Sequence, residues 1–234
     1  MVASTPQLPL DMVQPLPRRL QDVVNPPPGL LDLLESAATR PGADWLHLHG
    51  VHGSGKTHLL LATVTRAREA GRDAAYLPLP KALGRLADAL QALERHAVVA
   101  LDDVQAIAGQ RADEHALFDF HNRMHDGGHT VLYASVAAAD QSGLLLPDLV
   151  SRLNQCTRIR LQTLDDAGRV ELMRRHADRR GLVLDDAAVD WLLLHVPRDA
   201  ASLLASLDRL DHASLAAQRR ITLPFLRQVL IPRD

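Results

Sequence analysis

The chain has 234 residues, 47% of them apolar, with a formal net charge of -2. This is enough to bury the core of one large domain or of one domain with a small appendage, and the near-neutral balance supplies no overall basic field for tight, sequence-independent nucleic-acid binding. The single cysteine, Cys156, excludes an intrachain disulfide and a thiolate metal cluster; with no signal peptide and no apolar run of about eighteen residues, a reducing, cytoplasmic setting without membrane insertion is expected.

Residues 1–29 are punctuated by Pro6, Pro9, Pro15 and Pro17 and end in Asn25-Pro26-Pro27-Pro28-Gly29. Prolines at this density oppose both helix propagation and ladder pairing, so the segment reads as a mobile arm and linker. A short amphipathic helix follows (Leu30, Leu31, Leu33, Leu34, Ala37, Ala38), stopped by Pro41-Gly42. The chain then alternates: strand Trp45 to His49, helix Thr57 to Ala70, strand Ala74 to Leu79, helix Lys81 to Glu94, strand Ala97 to Leu101, helix Asp113 to His125, strand Thr130 to Ala134. Such alternation predicts an α/β domain over residues 30–163, built on a parallel five-stranded sheet covered on both faces. Cys156 falls in a predicted strand. From 164 the strand signal ends, and Asp165 to Arg180, Asp185 to His195, Asp199 to Ala217 and Leu223 to Leu230 carry helical apolar spacing, with acidic residues or Thr222 placed as caps. Residues 164–234 are therefore expected to form a small all-helical lid domain.

Gly50-Val51-His52-Gly53-Ser54-Gly55-Lys56-Thr57 fits G-x-x-x-x-G-K-[ST] between a predicted strand and a predicted helix, with His58 next in the chain. Glycines there let backbone N–H groups turn toward phosphate oxygens, aided by the positive end of the following helix. Lys56 is expected to reach the β- and γ-phosphates, and Thr57 to ligate Mg²⁺ beside a purine nucleotide, ADP or ATP. Asp102 and Asp103 close the apolar strand before them; Asp102 suits the metal, and Asp103 the orientation or activation of an attacking water. Histidines at 47, 49, 52 and 58, and the pair His121 and His125, lack the converging ligand pattern of a zinc site, and no nucleophile elbow is present.

With these motifs placed, the chain resembles the AAA+ ATPases of the bacterial replication-initiator group, and among them the regulatory inactivators of the initiator DnaA. The resemblance rests on Tyr76-Leu77-Pro78-Leu79, on Leu101-Asp102-Asp103-Val104-Gln105, on Leu146 to Leu153, and on Leu207 to Asp211 and Ala217 to Phe225. It implies an adaptor that binds the DNA polymerase sliding clamp and stimulates hydrolysis of DnaA-bound ATP, with Gln7, Leu8, Leu10 and Met12 as the clamp-binding peptide and Arg152 as an arginine finger acting in trans. DnaA and the clamp are then the partners, with homo-oligomerisation a further option; no helix-turn-helix domain follows the lid, so direct sequence-specific DNA binding is not expected. Two positions depart from the family pattern. Val136, beside Ser135, stands where a polar sensor belongs, and Ala201 stands where a lid arginine belongs, with Arg198 one helical turn earlier. Weak or absent intrinsic ATP turnover is the expectation. The rival readings are a self-sufficient AAA+ ATPase or helicase loader, and a P-loop kinase.

Overall fold

The computed structural model describes residues 18–217 and 221–231. The alternating part of the chain folds as α1 (Leu30–Thr39), β1 (Leu46–His49), α2 (Lys56–Glu69), β2 (Ala74–Pro78), α3 (Leu86–Gln91), β3 (Val98–Asp102), α4 (Arg111–Asp126), β4 (Thr130–Ser135), α5 (Pro147–Gln155) and β5 (Thr157–Arg160). The five strands pair in parallel in the order β2-β3-β4-β1-β5. Because successive strand residues point to opposite faces, Val99, Leu101, Val131 and Tyr133 meet α3, α4 and α5 on one side, while Leu46, Leu48, Ala100 and Leu132 meet α1 and α2 on the other. Both faces carry apolar side chains, which is why the strands read as short apolar runs.

The predicted helix over Lys81 to Glu94 is much shorter in the structure. A 3-10 turn spans Leu79–Ala82, Gly84 takes φ +74, and α3 starts only at Leu86. The left-handed glycine ends the first turn, and its N–H donates to Asp113 Oδ2 at 3.1 Å, a long-range bond that helix propagation would forbid. Cys156 is likewise not a strand residue; it closes α5, and β5 begins at Thr157.

The last part of the predicted linker is fastened to the fold. Leu20 and Val23 pack against the α1/α2 layer. Asp22 pairs with Arg179, and Val23 O accepts from Arg175 at 3.3 Å.

The remaining helices are α6 (Asp166–Arg179), α7 (Asp186–His195), α8 (Ala200–Ala217) and α9 (Leu223–Leu230), which share a core that includes Met173, Leu192, Leu203, Leu207 and Leu226. Acidic residues cap three of them: Asp165 accepts from Gly168 N–H, Asp185 from Ala188 N–H and Asp199 from Ser202 N–H, at 2.8, 2.7 and 2.8 Å. Each satisfies a donor that a helix start leaves open. Thr222 stands before α9 without a side-chain cap bond, contrary to its expected role. Among the described residues no helix is long and apolar enough to cross a membrane.

Glu114, on α4, is buried and accepts three backbone N–H bonds, from Gly109 at 2.8 Å and from Leu145 and Leu146 at 2.8 and 2.7 Å. It ties the loop after β3 to the start of α5. Glu114→Ala would leave three donors without this acceptor, so we expect a loss of about 3 kcal/mol or more in a denaturant titration; wild-type stability in that variant would contradict this role.

Candidate nucleotide-binding site

β1 delivers the chain to Gly50, where a Cβ would lie 2.4 Å from Leu161 O at the end of β5. Only glycine fits that approach. Gly53 and Gly55 take φ +78 and +88, conformations that L side chains rarely adopt, and α2 then starts at Lys56. The loop tip is open to solvent at Val51 and His52.

The Lys56 ammonium lies within the loop, donating to Gly50 O at 2.6 Å, Val51 O at 3.0 Å and Ser54 Oγ at 3.4 Å. Burial lowers its pKa, while the carboxylates of Asp102 and Asp103 act to raise it. Thr57 Oγ1 donates to Asp102 Oδ2 at 2.6 Å, Tyr76 Oη donates to the same oxygen at 2.9 Å, and Asp103 N–H donates to Oδ1 at 2.9 Å. Burial, followed by the Asp102 charge, raises the Tyr76 pKa. The structure thus joins the predicted loop and acid pair into one constellation. A hydroxyl and a carboxylate side by side are the hard oxygen donors that suit Mg²⁺, whose other positions nucleotide phosphates and water would fill.

Asp103 has left-handed backbone, φ 59, and its Oδ1 accepts from Gln105 Nε2 at 2.9 Å. The other end of that amide, Oε1, accepts from Val136 N–H at 3.1 Å, so Gln105 bridges the second acid to the position where the polar sensor was expected. Ser135 does not replace that sensor. Its hydroxyl is buried, donating to Ala137 O at 2.5 Å and lying 2.7 Å from His47 Nε2. His58 faces the N-terminal segment; burial, then Arg18, lowers its pKa, opposed by Asp22 and the backbone of Arg19.

The lid meets the loop along a cavity of about 230 Å³ lined by His52, Gly53, Thr163, Arg169, Arg198 and Asp199, among others. Asp166 Oδ1 is 2.6 Å from Arg169 Nη1 and Oδ2 is 3.5 Å from Arg198 Nη1, so one carboxylate holds two guanidiniums at the mouth. Ala201 lies exposed in the first turn of α8.

Arg152 is not brought to this site. It lies on α5, which covers the sheet face opposite α2, and its side-chain contact is Gln155 Oε1 at 3.4 Å. Gln7, Leu8, Leu10 and Met12 fall outside the described residues. Sequence reasoning gave no site role to Tyr76, Gln105 or Arg169. Only the strand order places Tyr76 beside the acid, whereas Gln105 stood two residues after Asp103 with no pattern to mark it.

Two further buried histidines make stability pH-dependent. Burial lowers both His47 and His121 to about 4, helped at His47 by His49 and Arg158 and at His121 by Arg152 and His125. Their folded pKa lies below the unfolded value, so the native state disfavours the proton. Stability should therefore decline as pH falls from about 6.5 toward 4, by up to about 1.4 kcal/mol per pH unit for each ring. Denaturant titrations between pH 7 and 4.5 would measure the slope, and His121→Asn should remove about half of what the two rings contribute. A slope unchanged in that variant would refute the assignment.

Residues 34–163, more than half of the chain, match the bacterial DnaA ATPase domain. The chain belongs to the bacterial DnaA ATPase-domain family. Residues 166–230 match a second description, Hda, lid domain, so a DnaA-like AAA+ ATPase domain continues here into a lid of the Hda type. Solved DnaA structures have the same fold. Domain III of the replication initiation protein DnaA from Thermotoga maritima superposes with a TM-score of 0.76 at 21% identity, covering 92% of this chain and 96% of that one. AMPPCP-bound DnaA from Aquifex aeolicus gives 0.69 at 20% identity over 85% of this chain and 66% of that one. The Thermotoga maritima RuvB Holliday junction branch migration motor gives 0.67 at 20% identity over 92% and 71%. The expected AAA+ fold, its five-stranded parallel sheet and its helical lid are all present in this DnaA relative.

Proposed function

We propose that this protein is a nucleotide-bound AAA+ adaptor that acts in trans on a related ATPase and so restrains replication initiation in the cytoplasm. ADP or ATP occupies the Gly50–Thr57 loop, with Lys56 on the phosphates and Thr57 and Asp102 holding Mg²⁺. The metal, when bound, supplies neutralisation of phosphate charge. Asp103, tied to Gln105, has no polar side chain from residue 136 beside it, which favours weak or absent turnover of the protein's own nucleotide. Arg169 and Arg198 are lid cations that share a cavity with His52 and Gly53 of the loop, in a chain whose residue 201 is alanine.

The observation that carries the adaptor reading is Arg152: a guanidinium on the sheet face away from its own nucleotide loop, with a weak amide contact and no ion pair among the described residues. A cation so placed is available to a neighbouring subunit, where it would stabilise charge developing on a γ-phosphate. The neighbour is ATP-bound DnaA, and Gln7, Leu8, Leu10 and Met12 attach the chain to the sliding clamp, the three apolar side chains filling a groove there. The test is DnaA-bound ATP hydrolysis in the presence of clamp-loaded DNA, comparing the wild type with Arg152→Ala and with Leu8→Ala/Leu10→Ala. Both variants should lose stimulation; if both retain it, the mechanism is wrong.

The complete Lys56, Thr57, Asp102 and Asp103 set supports a second reading, a self-sufficient ATPase or helicase loader. Turnover by the isolated protein that disappears in Asp103→Asn would establish that alternative.

A further inference from the structure

Asp102 is 1% exposed, and a carboxylate so deeply buried needs donors on its oxygens. Three reach it: Thr57 Oγ1 and Tyr76 Oη both donate to Oδ2, at 2.6 and 2.9 Å, and the Asp103 N–H donates to Oδ1 at 2.9 Å. A carboxylate offers about four lone-pair sites, two on each oxygen. Oδ2 is therefore filled, and the site left open is on Oδ1. The Lys56 ammonium does not take it, being bonded to Gly50 O, Val51 O and Ser54 Oγ. The two donors to Oδ2 come from different elements, Thr57 from α2 and Tyr76 from β2. Tyr76 is the register partner of Ala100, and Pro78, two residues on, is that of Asp102, so ring and carboxylate leave the sheet on the same face, the one α2 covers.

A buried acid beside a tyrosine hydroxyl is sometimes no more than a satisfied pair. Here Thr57 already supplies one bond to Oδ2, and it has a second duty, since its oxygen is also a donor to the cation. Held by Thr57 alone, Oδ2 would follow the phosphate loop; Tyr76 ties the same oxygen to the strand next to its own. We propose that Tyr76 is a positioning residue for the metal: with Thr57 it closes Oδ2 of Asp102 and so leaves the open site of Oδ1 to Mg²⁺ or to a water that Mg²⁺ holds. This rests on the assignment of nucleotide and metal to the Gly50–Thr57 loop. Outer partners of this kind fix the orientation of a ligating group, and their loss weakens metal affinity by about 10- to 100-fold. The lower end is expected, because Thr57 and the Asp103 N–H still hold the carboxylate once the tyrosine hydroxyl is gone.

The test follows the melting shift that ADP at a fixed concentration gives the full chain as Mg²⁺ is raised, and repeats it with the metal removed by EDTA. Tyr76→Phe keeps the ring against the α1/α2 layer and deletes the hydroxyl. It should raise the half-saturating Mg²⁺ concentration roughly tenfold and leave the shift in EDTA at its wild-type value. Tyr133→Phe deletes the chain's other tyrosine hydroxyl, which lies 2.9 Å from His121 Nδ1 on the opposite face of the sheet, and should leave the Mg²⁺ requirement unchanged. A half-saturating concentration in Tyr76→Phe equal to the wild type's, or lower, overturns the proposal while leaving the nucleotide site intact. A shift reduced equally with and without the metal assigns Tyr76 to the nucleotide or to the fold and also overturns it, as does the same tenfold rise in Tyr133→Phe. A wild type stabilised by ADP to the same extent at every Mg²⁺ concentration overturns the metal assignment, and one that ADP does not stabilise overturns the nucleotide site; either result removes the role of Tyr76 with it.

Discussion

Arg152→Ala should lower the stimulated rate of DnaA-bound ATP hydrolysis by about a thousandfold or more, equivalent to roughly 4 kcal/mol of transition-state stabilisation. An effect of that size from one side chain requires that the guanidinium meet developing negative charge where water is excluded. Folding should hardly register the change, because the side chain's hydrogen bond is a 3.4 Å contact with Gln155; a surface truncation of this kind costs within about 0.5 kcal/mol. Arg152→Lys should recover only part of the rate, since an ammonium lacks the planar fork that can grip two phosphate oxygens together. A stimulated rate equal to the wild type in a folded Arg152→Ala protein would remove the cation from the mechanism.

Lys56→Ala should abolish most of the melting shift produced by nucleotide. At a hundredfold excess over its dissociation constant, ADP stabilises a single-site protein by about 2.7 kcal/mol, a rise of roughly 5–10 °C for a chain of this size. The variant's own melting point without nucleotide is the necessary baseline, because removing the ammonium also takes a donor from Gly50 O and Val51 O. The comparison is therefore of shifts. An undiminished shift in Lys56→Ala would place the nucleotide elsewhere.

The parts of the site that were legible in the sequence are those set by local backbone chemistry. The loop could be read because Gly50, Gly53 and Gly55 each answer a requirement at their own position: a close approach to Leu161 O, and two left-handed turns. Asp102 and Asp103 could be read because a fully apolar strand ends there. The lid caps Asp165, Asp185 and Asp199 followed from the open donors at helix starts. What stayed hidden depends on partners distant in sequence. Tyr76 reaches Asp102 only because β2 pairs with β3. The helix expected over Lys81 to Glu94 gave way to a left-handed Gly84 held by Asp113, twenty-nine residues later in the chain. Gln105 took on a bridging role because Val136 offers a backbone donor and no polar side chain.

The fastening of Asp22 and Val23 to α6 has a mechanical consequence. Leu20 and Val23 rest on the sheet-bearing body while Arg175 and Arg179 belong to the helical one, so this short segment is a strap that joins the two. A change in the angle of the helical body over the phosphate loop would therefore have to strain the Asp22–Arg179 pair and the Val23–Arg175 bond, which couples the set of the lid to a segment more than a hundred residues earlier in the chain.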